Sequence, residues 1–207
     1  MGDDSSRPSP TRKVLPLNHK PFLSIVIRTC KRPKALKRCL DSLVKQDRND
    51  FEVVILRDEI GRGVPWANGM LAELDWSNID GRYVYLLDDD NTMTPGAIRA
   101  IKKAVKDCDM LICRINRLGT KRQRSIGERL WPEDDYWKQP PQVGHIDIGC
   151  VVLRHGLFIE AVKYFTHRYE GDFDFINAAF VLAKSVNWLN IPIQDYHTIG
   201  AGVTEHD

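Results

Sequence analysis

The densest chemistry in this chain is the run Leu87-Asp88-Asp89-Asp90-Asn91, which follows directly on the apolar stretch Tyr83-Val84-Tyr85-Leu86-Leu87. Adjacent carboxylates repel one another, so an acidic triplet is costly unless something positive offsets it. A divalent cation would do so. An all-oxygen donor set suits Mg²⁺ or Mn²⁺, ions that commonly bridge carboxylates to phosphate. The alternative reading is a solvated acidic turn that caps the next helix.

A second concentration of charge runs from Arg114 to Arg129, with Arg117, Lys121, Arg122 and Arg124 between them against one acid, Glu128. Trp131, Tyr136 and Trp137 follow. Basic side chains interleaved with aromatics bind polyanions, nucleic acid included. They equally serve as a lid over a diphosphate or as a solvated loop, and the two tryptophans are of a kind that stacks on sugar rings. Glu170 and Asp172 precede an apolar helical pattern, where carboxylates favour the positive end of a helix.

The elements that must position these groups read as an α/β succession. Phe22 to Ile27 is short, apolar and β-branched, as in a strand covered on both faces. Pro33 fits a first helical turn, and Leu36, Leu40, Leu43 and Val44 follow at helical spacing. Further strands are expected at Phe51–Leu56, Tyr83–Leu87 and Met110–Cys113. Helices are expected near 66–75 and after Thr94-Pro95, with Thr94 as N-cap. Residues 117–145 show no clear period and read as a long loop. A strand over Ile146–Leu153, helices near 155–165 and 172–185, and an apolar run from Trp188 to Ile193 complete the pattern. Such alternation predicts a mostly parallel central sheet wound by crossover helices. Residues 1–20, rich in Ser, Pro and charge, read as a disordered arm ahead of one domain over 21–207.

Taken in order, several segments resemble the GT-A-fold glycosyltransferases, in particular their family 2 type. Leu23-Ser24-Ile25-Val26-Ile27-Arg28-Thr29-Cys30-Lys31-Arg32-Pro33 is similar to that family's first strand and nucleotide loop, with Thr29 and Arg32 matching and Cys30 and Lys31 departing. Leu36, Leu40, Ser42 and Leu43 match its first helix. Glu52 to Asp58 resembles the strand that ends in an acidic pair at the nucleobase, with Arg57 standing in for the first acid. Ala67-Asn68-Gly69 falls at an Ala-Arg-Asn-like segment, and Asp88-Asp89-Asp90 at the Asp-x-Asp motif. Glu170-Gly171-Asp172 resembles the Glu-Asp segment at a helix start, with Gly171 replacing the Glu.

The resemblance implies a Rossmann-like GT-A domain with a nucleotide-binding half over about 21–116 and an acceptor-side half over about 117–207. It implies donor contacts from Thr29, Arg32, Asp58, Asn68, Asp88 and Asp89. Asp90 would hold Mn²⁺ or Mg²⁺ with His197 completing the shell, and Asp172 would be the base. His145, Asp147 and Trp131 would line the sugar and acceptor pocket. The implied reaction is metal-dependent, inverting transfer of a sugar, a hexose above all, from a UDP- or GDP-sugar to a hydroxyl. A carboxylate base suits it, because the acceptor proton must leave on the face opposite the departing diphosphate.

Two other classes compete. A nucleotidyltransferase would show a Gly-rich phosphate loop where this chain has Thr29 to Pro33. A non-catalytic nucleotide- or glycan-binding protein fits the missing acids at Arg57 and Gly171. A net charge of +2 is too small to argue for nucleic acid by itself, so a saccharide and a modified DNA base both stay open as acceptors. The five cysteines have no Cys-x-x-Cys spacing and predict free thiols. The lack of an 18-residue apolar run or a secretory leader predicts a cytoplasmic protein.

Overall fold

The computed structural model describes residues 11–13 (backbone only), 20–47, 50–118 and 129–197. Strands β1 (Thr11–Lys13), β2 (Leu23–Thr29), β3 (Phe51–Arg57), β4 (Tyr83–Asp88), β5 (Thr92–Met93), β6 (Met110–Leu118), β7 (Arg129–Trp131), β8 (Val151–Arg154) and β9 (Val186–His197) form one sheet. Its order is β1-β3-β2-β4-β8-β6-β9-β5, with β7 on β6. The helices are α1 (Pro33–Val44), α2 (Val64–Glu73), α3 (Ala97–Val105), α4 (His155–Ala161) and α5 (Gly171–Leu182).

The sheet is mixed, which corrects the expectation of a mostly parallel one. β2 lies parallel to β3 and β4, and β6 to β9, but β1, β5, β7 and β8 all pair antiparallel. The crossovers through α1 and α2 bring the chain back parallel. β8 instead enters between β4 and β6 against both. Thr11–Lys13, within the stretch expected to be disordered, is an edge strand on β3; the rest of residues 1–19 lies outside the described residues.

Leu23, Ile25, Val26 and Ile27 are all fully buried, which explains the continuous apolar run. Each such side chain contributes roughly 1.5–3 kcal/mol of transfer free energy. α1 turns Ala35, Leu36, Cys39 and Leu43 inward, while Val44 is 84% exposed and stands outside the stripe. α2, α4 and α5 pack on one another, α3 packs on β6 and β9, and α1 packs on β5.

Several boundaries differ from expectation for local reasons. β6 runs on to Leu118 because β7 and β9 flank it, so the start of the expected loop is strand. Ile148–Cys150 is a 3-10 turn, since the Asp147 carboxylate accepts the Gly149 N–H at 2.8 Å, and the strand begins at Val151. Gly96, with φ 74°, is the residue ahead of α3; the Thr94 hydroxyl instead donates to Pro192 O at 2.7 Å. All five cysteines are free thiols. Among the described residues no helix is long and apolar enough to cross a membrane.

Candidate active site

The register of β2 on β4 pairs Arg28 with Asp88 at the carboxyl ends of the strands, where wound sheets place their ligands. A guanidinium closing a buried strand needs partners, and Arg28 has them. Its Nε and Nη2 donate to Asp88 Oδ1 at 2.9 and 2.7 Å, and Nη1 donates to Asn68 Oδ1 at 2.7 Å. Arg28 also lies close enough to Asp172 and Asp147 for each carboxylate to favour its charged form. Asp88 in turn raises both Asp147 and Asp172, and Asp172 adds to the rise at Asp147. Three segments far apart in sequence therefore meet around one guanidinium.

On one side of this cluster stands the acidic triplet. Arg32 Nη1 donates to Asp90 Oδ2 at 2.8 Å, and its Nη2 is paired with Asp89 Oδ1. Arg38 Nη2 holds Asp90 O at 2.8 Å. Asp89 is fully buried. Burial pushes its carboxyl up to about 6, against the Thr29 hydroxyl and Arg32, which pull it down. Burial raises Asp90 too, with Asp88 adding and Arg32 opposing. The preceding loop bends sharply at Lys31, whose φ of 50° is left-handed. Such backbone outliers gather at functional sites.

On the other side, Asp172 stands in the first turn of α5, its Oδ1 accepting the Phe173 N–H at 2.8 Å. Burial raises its carboxyl, and that backbone bond and Arg28 only partly offset it. Asp147 goes further: burial pushes it up to about 7, opposed by the Gly149 N–H and reinforced by Asp88 and Asp172. Tyr85 holds the Asp147 turn in place. Its hydroxyl lies 3.1 Å from Gly149 O and 2.6 Å from Gln194 Oε1. A Cβ on Gly149 would come within 2.4 Å of that same Gln194 oxygen. Gly171 is fixed as tightly, for a Cβ there would meet Thr166 O at 2.2 Å. That is the physical reason glycine stands where the resemblance led one to expect Glu.

The expected site residues thus fall into groups. Arg32, Asp88, Asp89, Asp90, Asp147 and Asp172 come together. Thr29 is buried at the triplet and faces Asp89. A cleft of about 360 Å³ opens between Thr29–Pro33 and Arg57–Glu59, within the range of small-molecule sites. Asp58 lines it but turns its carboxylate onto its own loop, accepting N–H bonds from Ile60, Gly61 and Arg62. These bonds outweigh burial and lower its pKa. Asn68, expected at the donor, is buried with its amide bonded to protein groups on both sides.

Other expected residues are placed elsewhere. His145 stacks on Tyr136 with centroids 3.7 Å apart, and its Nδ1 lies 3.3 Å from Glu133 Oε2. Trp131 carries the Arg117 guanidinium 4.4 Å over its ring and leans on Tyr196. Arg114 does not belong to a basic surface. It is buried, donating to Pro132 O, to Asp134 Oδ1 at 2.7 Å and to Asn190 Oδ1 at 3.0 Å, with its guanidinium over Trp137. Lys121, Arg122, Arg124 and Glu128 lie outside the described residues.

His197 ends β9 beside the triplet's far end. Its N–H donates to Asn91 Oδ1 at 3.0 Å, and its Nε2 lies 3.2 Å from Thr92 Oγ1. Burial and Arg38 lower its pKa, keeping the imidazole neutral. Among the described residues no group of three or more His, Cys, Asp and Glu is gathered around a point that could hold a metal. Asp88 and Asp90 each spend one carboxylate oxygen on an arginine. Mg²⁺ in particular is usually held by one or two carboxylates together with substrate phosphates.

Arg28 and Tyr196 escaped sequence reasoning. Tyr196 is pushed well above its ordinary value by burial first and then by Asp147, Asp88 and Asp90, so its hydroxyl belongs to the cluster. For Arg28 a signal existed: one charge at the end of an otherwise apolar strand, a residue type almost never buried unpaired.

No protein-family profile matches the sequence, and no curated protein matches it. Solved structures do. TarS from S. aureus shares the fold with a TM-score of 0.59 at 16% identity, over 84% of this chain and 36% of that one. TarS 1-349 in complex with UDP-GlcNAc gives 0.55 at 16%, over 84% and 58%. A197 from STIV gives 0.51 at 18%, over 81% of each chain. The chain therefore spans well under two thirds of the TarS chains it matches. At these identities the likeness shows the fold alone, an α/β fold shared with TarS and A197.

Proposed function

We propose that this chain is a metal-dependent, inverting glycosyltransferase of the GT-A family 2 type, taking a UDP- or GDP-sugar as donor and a hydroxyl as acceptor. The observation that carries the reading is the convergence of Asp88, Asp147 and Asp172 on Arg28 at the carboxyl ends of β2 and β4. Structures of TarS with UDP and with UDP-GlcNAc support a nucleotide-sugar donor. The nucleotide fits the cleft between Thr29–Pro33 and Arg57–Glu59, with Asp88 at the ribose.

Asp172 takes the proton of the acceptor hydroxyl. The freed oxygen bonds to the anomeric carbon, the bond from that carbon to the diphosphate breaks, and the nucleoside diphosphate leaves with its electron pair. Attack from the face opposite the leaving group inverts the centre. A carboxyl held above its ordinary pKa suits such a base, because catalytic pKa values near the working pH transfer protons best. Asp90, with His197, would hold Mn²⁺ or Mg²⁺, which supplies neutralisation of the charge on the departing diphosphate. Arg32 keeps Asp89 and Asp90 fixed beside it. Asp147 and Tyr196 line the pocket between donor and acceptor.

The test is titration of UDP- and GDP-sugars into the protein with Mn²⁺ present, followed by donor hydrolysis with and without EDTA. The expected result is saturable binding of one nucleotide class and hydrolysis that EDTA abolishes. Binding of no nucleotide sugar would sink the reading, and full turnover in EDTA would remove its metal.

A further inference from the structure

Asn68 lies on α2, 1% exposed, and its amide is oriented by its neighbours. Oδ1 accepts from Arg28 Nη1 at 2.7 Å. Nδ2 donates to Arg168 O at 3.2 Å and to Tyr169 O at 3.3 Å. One side offers only a donor and the other only acceptors, so an amide is the side chain that satisfies both. The turn it grips leads straight into α5. Gly171 N–H donates to the same Arg168 O at 3.1 Å, and a Cβ on Gly171 would sit 3.0 Å from Asn68 Cβ. Asp172 is the next residue.

We infer that Asn68 is a positioning residue: through Arg28 on one side and the Arg168–Tyr169 carbonyls on the other, it sets Asp172 relative to Asp88. The inference rests on the proposed role of Asp172 as base. Arg28 is already pinned to Asp88 by two bonds, so the amide ties the turn before α5 to the donor side of the cleft. Without it, the Arg168 and Tyr169 carbonyls lose this link to Arg28 and the sheet, and the turn is left to helix packing and to its local bonds onto Asp174 and Glu73. Misplacement of a reacting group by about 1 Å can cost on the order of 100-fold in rate. Asn68 is thereby distinguished from a donor contact, the role its sequence position suggested.

The test uses Asn68→Ala and the isosteric Asn68→Asp, which keeps an acceptor for Arg28 and loses both donations. Amide hydrogen exchange over residues 168–174 and the carboxyl ¹³C titration of Asp172 are followed in the full chain, and kcat and KM are measured with UDP-GlcNAc as probe. Exchange should quicken roughly tenfold or more in both variants, as local opening becomes easier. In Asn68→Ala the Asp172 midpoint should move by about 0.5 or more. Turnover of the probe should fall about 10- to 100-fold with KM little changed. Exchange and titration both unchanged would overturn the inference, and so would a raised KM at constant kcat, which marks a donor contact. If Asp172→Asn proves fully active, the base assignment fails. Faster exchange in the Asn68 variants would then still establish the brace, so the two failures are told apart.

Discussion

Two groups of acids at the site are of the same kind under different partners. On the proposed donor side, Asp88, Asp89 and Asp90 each meet a guanidinium, from Arg28 or Arg32. On the proposed acceptor side, Asp147 and Asp172 each hold one backbone N–H, from Gly149 and Phe173. Burial raises Asp89 and Asp90 on one side and Asp147 and Asp172 on the other, and its opponents decide how far. Asp89 stops at about 6, while Asp147, with two other acids adding to burial, reaches about 7. At neutral pH the first is an anion and the second is divided between its two forms. A fixed anion suits binding, and a carboxyl that titrates near the working pH suits proton transfer. In the proposed reading, arginine placement sorts the acids into these two uses.

The sharpest way to break this division is Asp172→Asn, which keeps the side-chain shape and cannot take a proton. Turnover should fall by roughly 10²–10⁴-fold, with donor affinity unchanged. Equal loss of donor affinity in a titration would move Asp172 to the binding side. Next comes Arg32→Ala. It leaves fully buried Asp89 without its counter-charge, an arrangement that costs about 3–5 kcal/mol. With Arg32 gone the Asp89 carboxyl rises further, so below that value the neutral acid is buried cheaply and above it the penalty is full. Urea melts should show a larger loss at pH 8 than at pH 5. The same loss at both would mean that Arg32 does not hold Asp89 as an anion.

A smaller effect tests how the donor side takes its ion. Because Asp88 and Asp90 each give one oxygen to an arginine, the remaining donors need phosphate oxygens to complete a shell. Calorimetric titration of Mn²⁺ should give at least about tenfold tighter binding with UDP present than without it, a coupling of ordinary size. Equally tight binding to the protein alone would point to a complete protein cage.

Much of the donor side was legible in the sequence because it is written locally. The run Leu23–Ile27, Pro33 and the Asp88–Asp90 triplet carry their own period and punctuation, and the resemblance added their order. The acceptor side is written across long separations. Nothing near Asn68 in sequence announces Arg168, and nothing near Arg28 announces Asp172; only the register of β2 on β4 and the packing of α2 against α5 bring them together. Asp147 was expected to line a pocket, but its burial and its 3-10 turn depend on Tyr85 and Gln194. Arg114 was misread as surface charge. Its partners Pro132, Asp134 and Asn190 arrive from β7's exit and from β9, and no pattern around residue 114 encodes them.

The last test, Asp147→Asn, asks whether the proposed acceptor side titrates at all. The amide oxygen keeps the Gly149 N–H bond, so the turn survives while the charge is removed. In wild type the folded-state value of about 7 lies above the ordinary 3.8 of the unfolded chain. Stability from the protonated form is thus full below about 4 and is lost as pH rises through 7. The variant loses nothing over that window. Its melting temperature, whatever its offset at pH 4, should therefore gain steadily on wild type, by several degrees by pH 8. A melting difference that stays flat from pH 4 to 8 would make Asp147 a permanently ionised cap and leave Asp172 alone as the titrating acid on its side.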